Sequence, residues 1–253
     1  MVKQYNYKDL AEFYELVETD NEHKKATNVF LEKIFKKYKV KSVADITCGT
    51  GAQAIYFSKK GYKVYASDFS KDMLDIARKI AKKQKVNLNF KQGDMRNYKF
   101  PKADCVISMY NAIGHLSEED FIKTLKNINS QLKIGKLYIF DIFNTDFMKQ
   151  NPVNSFIDAA KEYDNKFFVR FNEDKFNFKK EIINFKEKIY IQEGISQYKM
   201  IPHEWDMKVY TIDRLKQLLQ QTGFEPIEIY GEPNKKFNKL KSPSIHIVAR
   251  KIK

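Results

Sequence analysis

The chain has 253 residues, 43% of them hydrophobic, and a formal net charge of +14. This length and composition suffice for one substantial core, and the apolar runs are only of strand length, so we expect a single soluble domain without a membrane span. The first residues lack the apolar stretch of a secretory signal, and Cys48 and Cys105 have neither zinc-site nor disulfide-framework spacing. We therefore expect a cytoplasmic protein.

The positive charge raises the question of nucleic-acid binding, because basic side chains neutralise phosphates. Only five of the 46 basic residues are arginine, the side chain suited to bidentate contacts with phosphates and bases. The lysines recur on predicted solvated helix faces, for example at Lys79, Lys82 and Lys83. This pattern favours a Lys-rich surface over a nucleic-acid footprint, so we expect a small-molecule partner and a monomer or homodimer.

The first 145 residues alternate between helical and strand-like patterns. Helical spacing predicts two helices within residues 1–40, and a glycine turn follows the first buried strand. Ser70 and Ser117 stand where helix N-caps are expected. The predicted strands cover residues 42–46, 62–67, 88–91, 104–109 and 136–142. Five alternations of strand and helix are typical of a doubly wound parallel sheet.

The alternation stops after residue 144. Residues 145–165 read as helical or irregular, and three long antiparallel strands are predicted at 167–171, 181–191 and 197–210. A helix at 213–221 and strands at 225–230 and 244–250 complete the pattern. The predicted fold is an α/β, mostly parallel, seven-stranded, Rossmann-like sheet with an antiparallel, β-rich lid. Its expected parts are N-terminal helices (1–40), a cofactor-binding core (41–144), the lid (145–211) and the end of the sheet (212–253).

The glycine turn after the first strand carries the strongest functional signal. Gly49 and Gly51 allow a ligand to approach the backbone closely, and Asp68 ends the second strand, where a carboxylate can bind ribose hydroxyls. Gly49-x-Gly51-x-x-Ala54 also fits a relaxed dinucleotide fingerprint. Asp45 distinguishes a dinucleotide site from an S-adenosylmethionine site. A carboxylate there would repel a pyrophosphate and attract the ammonium group of S-adenosylmethionine.

Three motifs resemble those of class I S-adenosylmethionine-dependent methyltransferases: residues 43–51, Asp68-Phe69-Ser70-x-x-Met73-Leu74, and Gly93-Asp94-Met95. The resemblance runs through residues 40–145 with ordinary spacing. It implies that Asp45 and the glycines hold the methionine part, Asp68 the ribose, and Phe69 and Met95 the two faces of adenine. It further implies that Asp94 accepts from the adenine amino group and that Met109 lies beneath the cofactor. The cofactor set implied by these motifs also contains Cys48, Met73 and Gly93.

Two other segments resemble small-molecule members of this class. Tyr7 and Tyr14 match an opening in which a tyrosine-bearing helix closes over the cofactor, although Tyr14 also fits a helix's core face. Residues 111–116 resemble the corresponding segment of glycine N-methyltransferases and of N,N-dimethyltransferases of nucleotide-linked amino sugars. The resemblance implies S-adenosyl-L-homocysteine as product.

Methyl transfer by in-line displacement depends largely on positioning, although a base helps when the acceptor is a hydroxyl or a protonated amine. His115 follows the fourth strand, where the acceptor should enter, and is our first catalytic candidate; a structural role is the alternative. Tyr14 and Glu204 are the other candidates. On a strand, Glu204 would share a face with Asp206, opposite His203 and Trp205, and it either lines the cleft or is solvated. No metal is expected, because Asp141 lacks the neighbouring acids that the metal-dependent type needs.

We therefore expect methyl transfer to nitrogen or oxygen of a small molecule, with a nucleotide-linked sugar or another surface-polysaccharide (capsule) precursor as the leading acceptor. The alternatives are a glycine-like amine, a capsule phosphoramidate-pathway acceptor methylated on oxygen, and RNA. RNA is included because of the net charge of +14. A binding protein on an inactive methyltransferase fold is a further class.

Overall fold

The computed structural model describes residues 21–152, 155–163, 165–194 and 197–253. The predicted first helix, with Tyr7 and Tyr14, lies outside these residues. The helices are α1 (Asn21–Lys37), α2 (Ala52–Lys59), α3 (Lys71–Lys83), a 3₁₀ helix (Ala112–His115), α4 (Glu118–Gln131), α5 (Thr145–Gln150) and α6 (Ile212–Gln221). The strands are β1 (Ser42–Asp45), β2 (Lys63–Asp68), β3 (Phe90–Gln92), β4 (Cys105–Ser108), β5 (Leu137–Phe143), β6 (Ser155–Tyr163), β7 (Lys166–Asn177), β8 (Ile182–Glu193), β9 (Gln197–Lys208), β10 (Phe224–Glu232), β11 (Lys235–Lys236) and β12 (Ser244–Lys251).

The main sheet has the order β11-β10-β12-β5-β4-β1-β2-β3. Strands β1 to β5 pair in parallel, whereas β12 pairs antiparallel with both β5 and β10. The mostly parallel, Rossmann-like sheet is therefore confirmed. The predicted count of seven was one short, because the two-residue strand β11 adds an edge and is too short to produce an alternating pattern.

The central strands form because they are apolar on both faces and are covered by helices on both sides. All four residues of β4 are buried, as are six of the seven in β5. The helix starts follow the predicted caps: the Ser70 hydroxyl accepts from Met73 N at 3.3 Å, and the Ser117 hydroxyl accepts from Asp120 N at 3.2 Å. This topology brings the residues predicted to bind the cofactor and the acceptor to the carboxyl ends of β1, β2, β4 and β5.

The lid is a separate antiparallel sheet with the order β6-β7-β8-β9. The lid prediction is confirmed, but reading residues 145–165 as helical or irregular was only partly right. These residues form α5 and then the full edge strand β6. The chain leaves and re-enters the core at one point, where Asn144 and Tyr210 form a β-bridge and Thr145 N donates to the Tyr210 carbonyl at 3.1 Å.

One face of the lid packs on the core. A Cβ at Gly114 in the 3₁₀ helix would overlap Met207 Cγ and lie 3.0 Å from the Lys208 carbonyl oxygen, so β9 lies directly on this helix. Along β9 the odd positions from Ile201 to Met207 are the less exposed ones, and we call the face that they share the inner lid face. The opposite side, the outer lid face, is exposed.

None of the helices within residues 21–152, 155–163, 165–194 and 197–253 is both long enough and apolar enough to cross a membrane. In the same ranges, no group of three or more His, Cys, Asp or Glu side chains is arranged to hold a metal ion.

Candidate active site

The glycine turn joins β1 to α2. Gly49 and Gly51 have φ values of +53° and +88°, in the left-handed region that favours glycine. A Cβ at Gly51 would also lie 3.1 Å from Phe90 Cε1 and 3.3 Å from Ala77 Cβ, which leaves no room for a side chain. The two glycines therefore serve the local backbone and its packing, and they leave the turn open to a ligand.

Asp68 braces this turn from the end of β2. Its Oδ2 accepts from Gly49 N at 2.8 Å and its Oδ1 accepts from Ser70 N at 2.9 Å. Burial raises the pKa of this carboxyl despite these backbone donors. Each carboxylate oxygen has a second lone pair, so the side chain can hold the turn and still accept from a ribose.

Asp45 is a buried carboxyl at the end of β1, only 3% exposed. Thr47 N donates to its Oδ1 at 3.4 Å, a weak hydrogen bond. Burial, with a smaller contribution from the nearby negative charge of Asp68, raises the pKa of Asp45 to about 8. A ligand cation would relieve both penalties, so this acidic pair fits an ammonium group and would disfavour a phosphate.

The predicted adenine-side residues have unequal surroundings. Phe69 is 62% exposed, so its ring is accessible to a ligand. Asp94 is engaged by Arg96, whose Nε lies 2.9 Å from Oδ1 and 3.0 Å from Oδ2, and this hydrogen bonding lowers the pKa of Asp94. Arg96 Nη1 also donates to Asp120 at 3.0 Å. Sequence reasoning did not single out Arg96, although its position two residues after Asp94 was a visible signal.

Several predicted cofactor residues have little free surface. Cys48, Met73 and Met109 are 5%, 2% and 4% exposed, and Cys48 and Met109 pack in hydrophobic clusters. Met95 is partly buried against the core. A Cβ at Gly93 would overlap the Tyr98 ring, so packing already requires glycine there. The structure brings these residues to the expected region, and their contacts with the cofactor remain predictions.

A strained turn follows β4, where the acceptor is predicted to enter. Tyr110 and Asn111 are both left-handed, with φ values of 63° and 58°. The Asp141 carboxylate accepts from both of their backbone N–H groups, at 2.7 and 3.1 Å. Gln53 Nε2 donates to the Tyr110 hydroxyl at 2.7 Å and so links this turn to α2. Sequence reasoning considered Asp141 only as a metal ligand and missed this anchoring, since the contact depends on β4 and β5 being neighbours.

His115 and Glu204, the two catalytic candidates among the described residues, are not brought together. His115 ends the 3₁₀ helix beneath the lid, and burial lowers its pKa to about 4. This value is below the ordinary imidazole pKa of about 6.5. Glu204 and Asp206 do share a face, but it is the outer lid face: Glu204 is exposed and accepts from Asn184 Nδ2 at 3.3 Å. The reading in which Glu204 lines the cleft is corrected, and Tyr14 lies outside the described residues.

Comparisons with known proteins agree with this geometry. Residues 43–135 match a family model described as a methyltransferase domain. The chain is 27% identical over 245 residues to a Geobacillus sp. (strain WCH70) protein named as a methyltransferase without a stated substrate, covering 88% of this chain and 90% of that one. The fold matches an S-adenosylmethionine-dependent methyltransferase from Clostridium acetobutylicum ATCC 824 with a TM-score of 0.81 and 19% identity, over 98% of this chain and 99% of that one.

A more local likeness is to the dTDP-3-amino-3,4,6-trideoxy-alpha-D-glucopyranose N,N-dimethyltransferase of Streptomyces venezuelae, 34% identical over 76 residues, which is 30% of each chain. With the sheet order, these findings identify a methyltransferase that has the fold of S-adenosylmethionine-dependent methyltransferases. Its cofactor is S-adenosylmethionine.

Proposed function

We propose that the enzyme methylates a nitrogen or oxygen of a small polar acceptor, with nucleotide-linked amino sugars and related surface-polysaccharide precursors as the acceptor class. The observation that carries this proposal is a polar row on the inner lid face. Asn172, Glu187 and His203 stand directly opposite one another on β7, β8 and β9, and each is at most 9% exposed. Amide, carboxylate and imidazole groups offer the donors and acceptors that hydroxyls and amines require.

The same face carries a guanidinium and an aromatic stack. Arg170 is 9% exposed, and its Nη1 lies 3.4 Å from Glu187 Oε1. Arginine suits phosphate, so a nucleotide-linked acceptor supplies a group for it as well as for the polar row. Trp205 stacks on Phe185 at 5.0 Å with an interplanar angle of 11°, an apolar surface against which a sugar ring can pack.

The likeness to the dTDP-amino-sugar N,N-dimethyltransferase supports this acceptor class, as does the resemblance of residues 111–116 to such enzymes. Bound S-adenosylmethionine supplies a methyl group activated by its sulfonium. Asp45 and Asp68 would hold the cofactor, which would supply this methyl group to the acceptor lone pair and keep the electron pair of the broken carbon–sulfur bond. The acceptor then loses its proton to water.

His115 has a role in this proposal that follows from its burial. With a pKa of about 4 the imidazole is neutral at pH 7, so it can accept a hydrogen bond from an acceptor N–H or O–H. At that pH the imidazole is a weak base and stays largely unprotonated. We therefore assign it the orientation of the acceptor lone pair toward the methyl group rather than proton storage.

Two further expectations belong to this proposal. The first is the division of the chain into residues 1–40, 41–144, 145–211 and 212–253. The β-bridge between Asn144 and Tyr210 supports it, because the chain leaves and re-enters the core there. The second is a cytoplasmic location, supported by the two cysteines, which are both buried and free.

The test is an activity screen with S-adenosylmethionine and matched acceptors. Purified protein is incubated with a dTDP-amino sugar, with the corresponding sugar lacking the nucleotide, with glycine, and with RNA at two salt concentrations. Mass spectrometry should show a gain of one CH₂ unit per transfer on the nucleotide-linked sugar, and much less on the free sugar. Methylation of glycine or RNA in preference to the sugar would overturn the assignment, and so would no product from any nucleotide-linked sugar.

A further inference from the structure

The Gly93-Asp94-Met95 motif is followed at once by an arginine that binds its acid. Three N–H groups of Arg96 donate to the Asp94 carboxylate: the backbone N to Oδ1 at 2.9 Å, Nε to Oδ1 and Oδ2 at 2.9 and 3.0 Å, and Nη2 to Oδ2. This hydrogen bonding lowers the pKa of Asp94, so the carboxylate is ionised at neutral pH. One neighbour therefore fixes both the charge and the plane of this carboxylate.

The other end of Arg96 is itself anchored. Its Nη1 donates to Oδ2 of Asp120 at 3.0 Å, in the first turn of α4. Asp120 is held in turn by Lys123, whose Nζ donates to Oδ1 at 3.1 Å. The planar guanidinium thus contacts an acid on each side and cannot rotate without losing hydrogen bonds. A lysine, with a single point charge, cannot form the same set of contacts.

The backbone of the motif is held from two directions. Asn127 Nδ2, on α4, donates to the Met95 carbonyl at 3.1 Å. On the other side, Gly93 N donates at 2.9 Å to the carbonyl of Asp68, the residue whose carboxylate is predicted to bind the ribose. The position of Asp94 is therefore set by α4 and by the end of β2, and the orientation of its carboxylate is left to the neighbouring guanidinium.

The Asp94 carboxylate keeps room for one more donor. A carboxylate offers about four lone-pair sites, and the three N–H groups of Arg96 leave one of them open. The Asp94 side chain is 20% exposed, so a ligand can reach it. The amino group of adenine is a donor, whereas the carbonyl oxygen that replaces it in hypoxanthine is an acceptor and would be repelled by an ionised carboxylate. A correctly oriented carboxylate thus distinguishes the two bases.

We propose that Arg96 is a positioning residue for adenine recognition. Held between Asp94 and Asp120, it turns the Asp94 carboxylate so that the remaining lone pair accepts from the amino group of the cofactor's adenine. In this role Arg96 acts through Asp94 alone. The inference rests on the predicted contact between Asp94 and adenine, and it is independent of the methyl acceptor.

A purely structural role for Arg96 makes a different prediction. Its side chain is 32% exposed, and ion pairs with this much solvent access contribute little to folding stability. Removing the guanidinium should therefore leave the melting temperature nearly unchanged. General damage to the site would weaken every cofactor-like ligand to the same extent, whereas loss of positioning affects only ligands that carry the adenine amino group.

Calorimetry with two ligands separates these roles. S-adenosylhomocysteine and its deaminated analogue S-inosylhomocysteine carry the same ammonium and ribose groups, so the ratio of their affinities cancels the contributions of Asp45 and Asp68. Wild type should prefer the adenine ligand by about 10- to 100-fold, the usual effect of one hydrogen bond to a charged group. Arg96→Met, which keeps the apolar stem, should lower this preference about 10-fold by weakening the adenine ligand alone.

Three further variants complete the test. Arg96→Lys keeps the charge without the planar fork and should lose the preference as Arg96→Met does. Asp120→Asn releases the far end of Arg96 and should lower the preference by less. Lys123→Met is the matched control, since it removes a positive charge from the same cluster without contacting Asp94, and it should keep the wild-type preference.

A full preference in either Arg96 variant would overturn the inference, and so would an equal loss of affinity for both ligands. Asp94→Ala shows which step failed. If Asp94→Ala loses the preference while Arg96→Met keeps it, the adenine contact stands and the positioning role is wrong. If Asp94→Ala also keeps the preference, the predicted adenine contact itself is wrong, and the role of Arg96 falls with it.

Discussion

Cofactor affinity should depend steeply on pH because of Asp45. Burial and the neighbouring Asp68 raise the pKa of this carboxyl to about 8 in the empty site. In our proposed site the cofactor's ammonium pairs with the ionised form. Binding below pH 8 must therefore release a proton from Asp45, and affinity is reduced by the ionised fraction.

The magnitude follows directly from this pKa. Asp45 is about 1% ionised at pH 6 and about half ionised at pH 8, so affinity should rise about 50-fold over that interval, or about 2.3 kcal/mol. The stability of the empty protein changes in the opposite direction. A carboxyl whose folded pKa is raised contributes stability below its unfolded pKa of about 4, which is lost as the pH rises through 8. Bound cofactor should restore it, so the thermal shift caused by ligand should be larger at pH 8 than at pH 6.

Calorimetry with S-adenosylhomocysteine at pH 6, 7 and 8 measures this, because the product carries the same ammonium. Repeating the titration in buffers of different ionisation enthalpy gives the number of protons released, which should approach one at pH 6. Asp45→Asn is the matched control and should bind more weakly at pH 8, with a flat profile. A flat wild-type profile would refute the reasoning, and a steep profile in Asp45→Asn would refute it by pointing to Asp68 as the titrating group.

Four further predictions concern single residues. Asp68→Ala should weaken S-adenosylhomocysteine binding by about 2–4 kcal/mol in calorimetry, because it removes ribose contacts and leaves Gly49 N unbraced; unchanged affinity would contradict this role. Trp205→Ala should lower turnover far more than cofactor affinity, and equal losses would mean general damage to the fold. His115→Asn should cut turnover by about 10²–10⁴, with cofactor affinity kept and no change in the pH–rate profile between pH 6 and 7, since its pKa is about 4; full activity would make the ring structural. Asp141→Ala should reduce turnover and lower the free energy of unfolding by about 2–4 kcal/mol in urea denaturation, because two buried N–H groups in a strained turn lose their acceptor; a variant as stable and active as wild type would refute the anchoring role.

The elements that sequence patterns predicted well are those with local causes. The Ser70 and Ser117 caps act within three residues, and the positive φ of Gly51 is a demand of its own turn. The same locality explains the alternation on β9, which separated Glu204 and Asp206 from His203 and Trp205 before any fold was known. It could not say which side faces the core.

That choice was made by contacts between distant parts of the chain. Met207 packs against Gly114, so the inner lid face carries His203, and Glu204 is left on the exposed side. The sequence pattern of residues 145–165 likewise did not reveal β6. This edge strand depends on its partner strand β7 rather than on its own apolar pattern.

The electrostatic character of the site was also decided only by tertiary structure. Sequence alone determined that a glycine turn, an acid before it and an acid after the second strand would meet at one sheet edge, because parallel strands end together. It could not determine that Asp45 has a pKa of about 8 or His115 one of about 4, since both shifts arise mainly from burial by residues far away in the chain. Local chemistry specified the elements of this enzyme, and packing specified which faces meet and which charges are buried.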